Sequence, residues 1–233
     1  WADDVHHALH ARLTGETQGY YGDFAEAGAW AKAYGRAFLH NGTWSTFRER
    51  NWGAPVPEDT DPRRFVVFGS DHDQIGNRAV GDRPSTSLDD ATLAATAALV
   101  LLSPYTPMLF MGEEWGTRTP FQFFTDHEED LARSVSEGRV REFAGFGWDA
   151  DEIPDPQAAE TVEASRLRWD ELNEAEHIRM LAWYQALTAL RRDLTWSQRT
   201  AWPQVEDING VLTVTYEDIV VATNLSGQER PAP

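Results

Sequence analysis

Ser70-Asp-His-Asp73 places two carboxylates around an imidazole directly after the apolar run Arg64-Phe-Val-Val-Phe68. Such a group suits chemistry on a neutral polar substrate. Asp73 can accept hydrogen bonds from two adjacent hydroxyls, and His72 can donate one from its ring. Cleavage of a glycosidic bond passes through an oxocarbenium-like state, and a fixed carboxylate beside the ring opposes the developing positive charge. Spacing alone leaves two other readings open: a metal cluster of Asp and His, or a hydrogen-bonded loop at a strand end.

The elements that must hold these residues follow from the apolar pattern. Arg64–Phe68 is short, apolar and rich in β-branched and aromatic residues, which suits a buried parallel strand. Ser87-Leu-Asp-Asp90 has capping-box spacing and opens a helix whose Leu93, Ala97, Val100 and Leu101 share a stripe, ending at Ser103-Pro104. Thr106–Met111 is a second buried strand, closed by Gly112. Strand, helix and strand in that order imply parallel pairing by a crossover. Polar residues follow both strands: Asp71, His72 and Asp73 after the first, Glu113, Glu114 and Trp115 after the second. In a βα-barrel that end carries the active site.

The rest of the chain frames this unit. Asp3 or Asp4 caps a helix through Val5, Leu9 and Leu13 that ends near Gly15; a second helix is expected over 24–39, then a loop to Arg63. Residues 117–170 read as a polar excursion with short helices. A helix over 174–193 carries Met180, Trp183, Tyr184, Leu187 and Leu190 on one side. Val211–Tyr216 and Ile219–Thr223 form an antiparallel hairpin about Glu217-Asp218, which marks a domain change.

Composition removes several function classes. With 20 Lys and Arg against 38 Asp and Glu, the net charge of −18 opposes binding to nucleic acid and to anionic membrane surfaces. A neutral ligand such as a sugar meets no such penalty, and 10 Trp, 11 Phe and 6 Tyr supply faces for sugar rings as well as core bulk. The absence of cysteine removes disulfides and thiolate metal sites and fits a reducing, cytoplasmic compartment. The longest apolar run, Ala97–Leu102, is too short to span a bilayer. A start at Trp1 without any leader is read as a piece of something longer.

The run Ser70-Asp-His-Asp-Gln-Ile-Gly-Asn-Arg-Ala79 with Gly81-Asp-Arg83 resembles the last catalytic motif of the α-amylase family of glycoside hydrolases. More narrowly it is similar to the malto-oligosyltrehalose trehalohydrolase branch. Asp3–His10 with Leu13-Thr-Gly-Glu16, Ser103–Trp115, Phe121–His127, Arg141–Phe143 and Pro154–Gln157 support the narrower likeness.

This resemblance implies an α/β fold: the C-terminal portion of a TIM (β/α)8 barrel over 1–193, followed by the start of an antiparallel β-sandwich domain over 194–233. It implies a retaining hydrolase that releases trehalose from maltooligosyltrehalose or a related α-glucan. Asp73 is then the transition-state stabiliser and His72 its partner on the same sugar. His7, Tyr21 and Trp115 are candidate substrate-binding residues, with Asn77 and Arg78 orienting the segment that carries Asp73. No cofactor and no metal are expected. Asp71 departs from the pattern, standing where the resemblance implies Asn. The nucleophilic Asp and general-acid Glu belong after strands upstream of Trp1, so the missing N-terminal part of the barrel is the expected partner and the fragment alone is expected to be inactive. A glucan branching transferase and a non-catalytic carbohydrate-binding fragment are the competing readings.

Overall fold

The computed structural model describes residues 1–26, 28–144 and 149–229. It divides into two compact units, each discontinuous in sequence: Trp1–Gly69 with Leu88–Leu109 and Ala182–Pro233, and Ser70–Ser87 with Phe110–Leu181.

The first unit holds the strand–helix–strand motif. β3 (Val66–Val67) pairs in parallel with β4 (Thr106–Pro107), and α4 (Asp90–Leu101) connects them. Both strands are shorter than the apolar runs that contain them. Pro62 opens a 3-10 turn over Pro62–Arg64 that takes up the start of the first run. The Ala2 amide donates to the Val66 carbonyl on the opposite edge of β3, so three chain segments lie side by side. α4 is capped by Asp89, whose carboxylate accepts from the Thr92 amide at 2.7 Å. This corrects the expected cap at Ser87, whose hydroxyl bonds to the Pro84 carbonyl instead. At the other end, Arg191 donates to the carbonyls of Leu101, Ser103 and Tyr105 at 2.6–2.7 Å, taking up acceptors that the finished helix leaves open.

The helix expected over 24–39 is broken. A 3-10 segment over Gly19–Ala25 precedes α2 (Ala29–Arg36), with Gly28 at φ +83° before it and Ala37 at φ +67° after it. The loop expected after it contains an antiparallel hairpin, β1 (Asn41–Ser45) with β2 (Arg50–Gly53). Toward the C-terminus, β5 (Gln204–Ile208), β6 (Val211–Tyr216) and β7 (Ile219–Asn224) form a three-stranded antiparallel sheet. Leu212, Val214 and Tyr216 alternate into the core, and the sheet packs on α2 and α4.

The second unit consists of α3 (His72–Gly76), α5 (Glu129–Ala144), α6 (Ala159–Ala164) and short 3-10 turns. α7 (Ala175–Asp193) starts in this unit and ends in the first. Its buried face is Met180, Tyr184 and Leu187, whereas Trp183 and Leu190 of the expected stripe are about two-fifths exposed. Among the described residues, no helix is long and apolar enough to cross a membrane.

Candidate active site

In the second unit the segment after β3 turns at once into α3. Asp71 is its N-cap: the chain is extended there and the carboxylate accepts from the Gln74 amide at 2.7 Å. Asp71 is buried, so its charge is committed to the helix start and does not line the open side. His72 and Asp73 occupy the first turn with side chains 54% and 64% exposed, their Nε2 and Oδ1 3.5 Å apart. Beneath them Ser70 is buried and its hydroxyl donates to Glu113 at 3.1 Å.

The rest of the motif is scaffold. Arg139 from α5 donates to the carbonyls of Gly76 and Arg78 at 2.7 and 2.9 Å, fixing the far end of α3. Arg78 pairs with Asp82 at 2.8 Å. Gly81, at φ +66°, lies so close to Phe121 that a Cβ there would meet the Phe121 carbonyl oxygen at 2.5 Å, and the Phe121 amide donates to the Gly81 carbonyl. Arg83 is buried beneath the site. Its guanidinium donates to the carbonyls of Thr119 and Met111 and covers the Phe110 ring at 5.0 Å. Burial pulls its pKa down to about 10 against the opposing pull of Glu113, Glu114 and Glu171, so it stays charged at neutral pH. Arg83 belongs to the motif quoted above and Arg139 does not, and nothing local marks either as an arginine that turns inward.

Trp115 does not present an open face. It is 2% exposed, its Nε1 donates to the buried Glu171 and its ring meets Trp169 at 5.1 Å. Burial therefore corrects the expectation that Trp115 stacks on a sugar. Trp169, 65% exposed, borders an open cavity of about 460 Å³ together with Met111, Phe121, Phe124 and Arg166.

His7 and Tyr21 lie in the first unit, within a cluster of histidines and aromatics on α1 (Asp3–Thr14) and the 3-10 segment after it. His6 is fully buried, stacks on Phe68 and donates from Nδ1 to the Gly69 carbonyl at 2.9 Å. Burial first, then the neighbouring His7 and His10, hold its pKa well below the usual histidine range. Burial first, then the neighbouring His10 and Arg48, lower His7 to about 4. Both rings are neutral at pH 7, and the buried His7 Nδ1 has no hydrogen-bond partner. Tyr21 is buried and stacked on His10 at 4.6 Å, so the open ring expected there belongs to its neighbour Tyr20.

Comparisons with known proteins give the class first. The chain has an α/β fold like that of a Salmonella typhimurium protein described as an alpha amylase, with a TM-score of 0.89 and 37% identity, covering all of this chain and 42% of that one. More narrowly, it is related to malto-oligosyltrehalose trehalohydrolases. It is 50% identical to that of Arthrobacter ramosus over 234 residues, which is all of this chain and 40% of the relative. It is 50% identical to that of Brevibacterium helvolum and 42% to that of Saccharolobus solfataricus, each over 83% of this chain and about a third of theirs. The chain thus spans at most two-fifths of the length of these relatives. No family model matches it.

Proposed function

We propose that this chain is part of a retaining α-glycosidase that cleaves the α-1,4 bond next to the terminal trehalose unit of maltooligosyltrehalose. Asp73 is its transition-state stabiliser, and His72 donates a hydrogen bond to the same sugar. The observation that carries the reading is the exposed Asp73–His72 pair, set on a first helical turn whose cap, far end and underlying loop are all fixed by other residues. A carboxylate held in that way lies ready beside a sugar ring without rearrangement, which is where electrostatic stabilisation is most effective. The 50% identity over the whole chain to a trehalohydrolase supports the choice of substrate.

In this reading the residues form the last part of a (β/α)8 barrel to about 193, and the sheet over 204–224 begins a β domain. Retention needs two further carboxyls about 5–5.5 Å apart across the scissile bond, one attacking the anomeric carbon and the other protonating the leaving oxygen. The nucleophile and acid are supplied from outside residues 1–233.

The test is trehalose release from maltooligosyltrehalose by the full-length protein. Asp73→Asn is expected to lower turnover at least about a hundredfold, with stability within about 0.5 kcal/mol because the side chain is exposed. Retained turnover would defeat the assignment of Asp73. Formation of α-1,6 branches from amylose, without trehalose, would instead establish a branching transferase.

A further inference from the structure

We propose a divalent metal site in the second unit formed by His177, Glu174 and Glu176, taking a first-row ion of the zinc type. It stands apart from the sugar chemistry above. His177 reads in the sequence as an ordinary packing or surface histidine, and its side chain is 5% exposed. Its Nδ1 lies 2.7 Å from the Trp115 carbonyl oxygen. A carbonyl only accepts, so Nδ1 carries the hydrogen and Nε2 of the neutral ring presents its lone pair outward. That is how metal-bound histidines are held: one nitrogen donates to a carbonyl or carboxylate, which fixes the tautomer and turns the other nitrogen to the ion.

Nε2 faces two carboxylate oxygens, Glu176 Oε1 at 3.7 Å and Glu174 Oε2 at 4.0 Å. Both separations exceed a hydrogen bond. They suit two ligands sharing one ion, since bonds of about 2.0–2.2 Å place ligand atoms up to about 4.2 Å apart. Each residue offers a ligand atom within 4.8 Å of the other two, and among the described residues no other group of His, Cys, Asp and Glu meets that condition. Glu174 is more than half exposed and Glu176 about one-third, so small side-chain rotations close the remaining gap. An imidazole with two carboxylates suits zinc or manganese better than calcium, which takes six to eight oxygens. Three protein ligands leave the remaining positions to water.

Arg118 Nη1 lies 3.0 Å from Glu176 Oε1. That is the oxygen facing His177, so an ion taking it displaces this exposed guanidinium, and two glutamates opposed by one guanidinium are a net negative site. Loading it ties the start of α7 to the Trp115 backbone.

The test uses the full-length protein stripped by a chelator and titrated calorimetrically with zinc chloride in the presence of millimolar magnesium, which occupies indiscriminate acidic sites. We expect one saturable site, weakened at least tenfold by Glu174→Gln and by Glu176→Gln while the melting temperature of the zinc-free variants is unchanged. These two substitutions avoid the buried imidazole, whose loss could unfold the protein. The absence of saturable binding would overturn the site and leave His177 as a packing residue bonded to the Trp115 carbonyl. Binding that is equal in both variants, or abolished by magnesium, would overturn it too.

Discussion

Asp71 accepts the Gln74 amide while Asp73, two residues on, points into solvent. The two carboxylates are alike in sequence and opposite in use, because the N-cap turns one side chain forward onto the helix's own amide and the first turn sends the other out. Asn in place of Asp71 keeps a side-chain oxygen for the same bond. Asp71→Asn is therefore expected to leave the urea midpoint of the protein nearly unchanged, whereas Asp71→Ala costs about 1 kcal/mol. If the Asn variant loses as much as the Ala variant, the charge and not the cap is what matters there. At this scale Asp73 and His72 stand out in the sequence because they follow an apolar run directly, and both side chains are exposed. Trp115 and Tyr21 are buried instead of open because burial depends on what folds over a ring, and their partners Glu171 and His10 carry no local mark of that role.

Elements were legible in type more than in extent. The apolar runs at 64–68 and 106–111 do contain parallel strands, but ladder pairing is confined to two residues in each. The hairpin of β1 and β2 carries no strand signal because its residues, Asn-Gly-Thr-Trp-Ser and Arg-Asn-Trp-Gly, are exposed apart from Asn41 and the buried Ser45 and do not alternate in polarity. Asn209-Gly210 joins β5 to β6 with both residues at positive φ, a two-residue turn signal that the sequence does carry. Gly81 shows why a short motif extends past its reactive residues. Adding a Cβ forces both a left-handed backbone and a contact with the Phe121 carbonyl, whereas Gly15, at φ +73° after α1, has open space around it. Gly15→Ala is thus expected to cost about 1 kcal/mol and Gly81→Ala clearly more, about 2–3 kcal/mol. Chemical denaturation of both variants separates strain from clash. Equal losses would mean that the segment at Phe121 yields.

For the whole molecule, the acidic excess and the buried histidines set opposite responses to pH. The net charge of −18 favours expansion through self-repulsion, and acidification relieves it once carboxylates begin to protonate near their usual values of about 4. His6 and His7 act earlier. Their folded-state values lie below the ordinary 6.5, His7 at about 4, because burial disfavours the charged ring. Between pH 6.5 and 4 the unfolded chain therefore binds protons that the folded chain refuses, and stability must rise with pH across that window. The full contribution is present above about 6.5 and is lost as the pH falls toward 4. Self-repulsion changes little between pH 7 and 5, since few carboxylates titrate there. The melting temperature of the protein is consequently expected to fall from pH 7 to pH 5, and to fall less steeply in His7→Gln, which carries no titrating ring. A melting temperature that is flat or rises over that interval would mean that relief of charge repulsion outweighs the buried imidazoles.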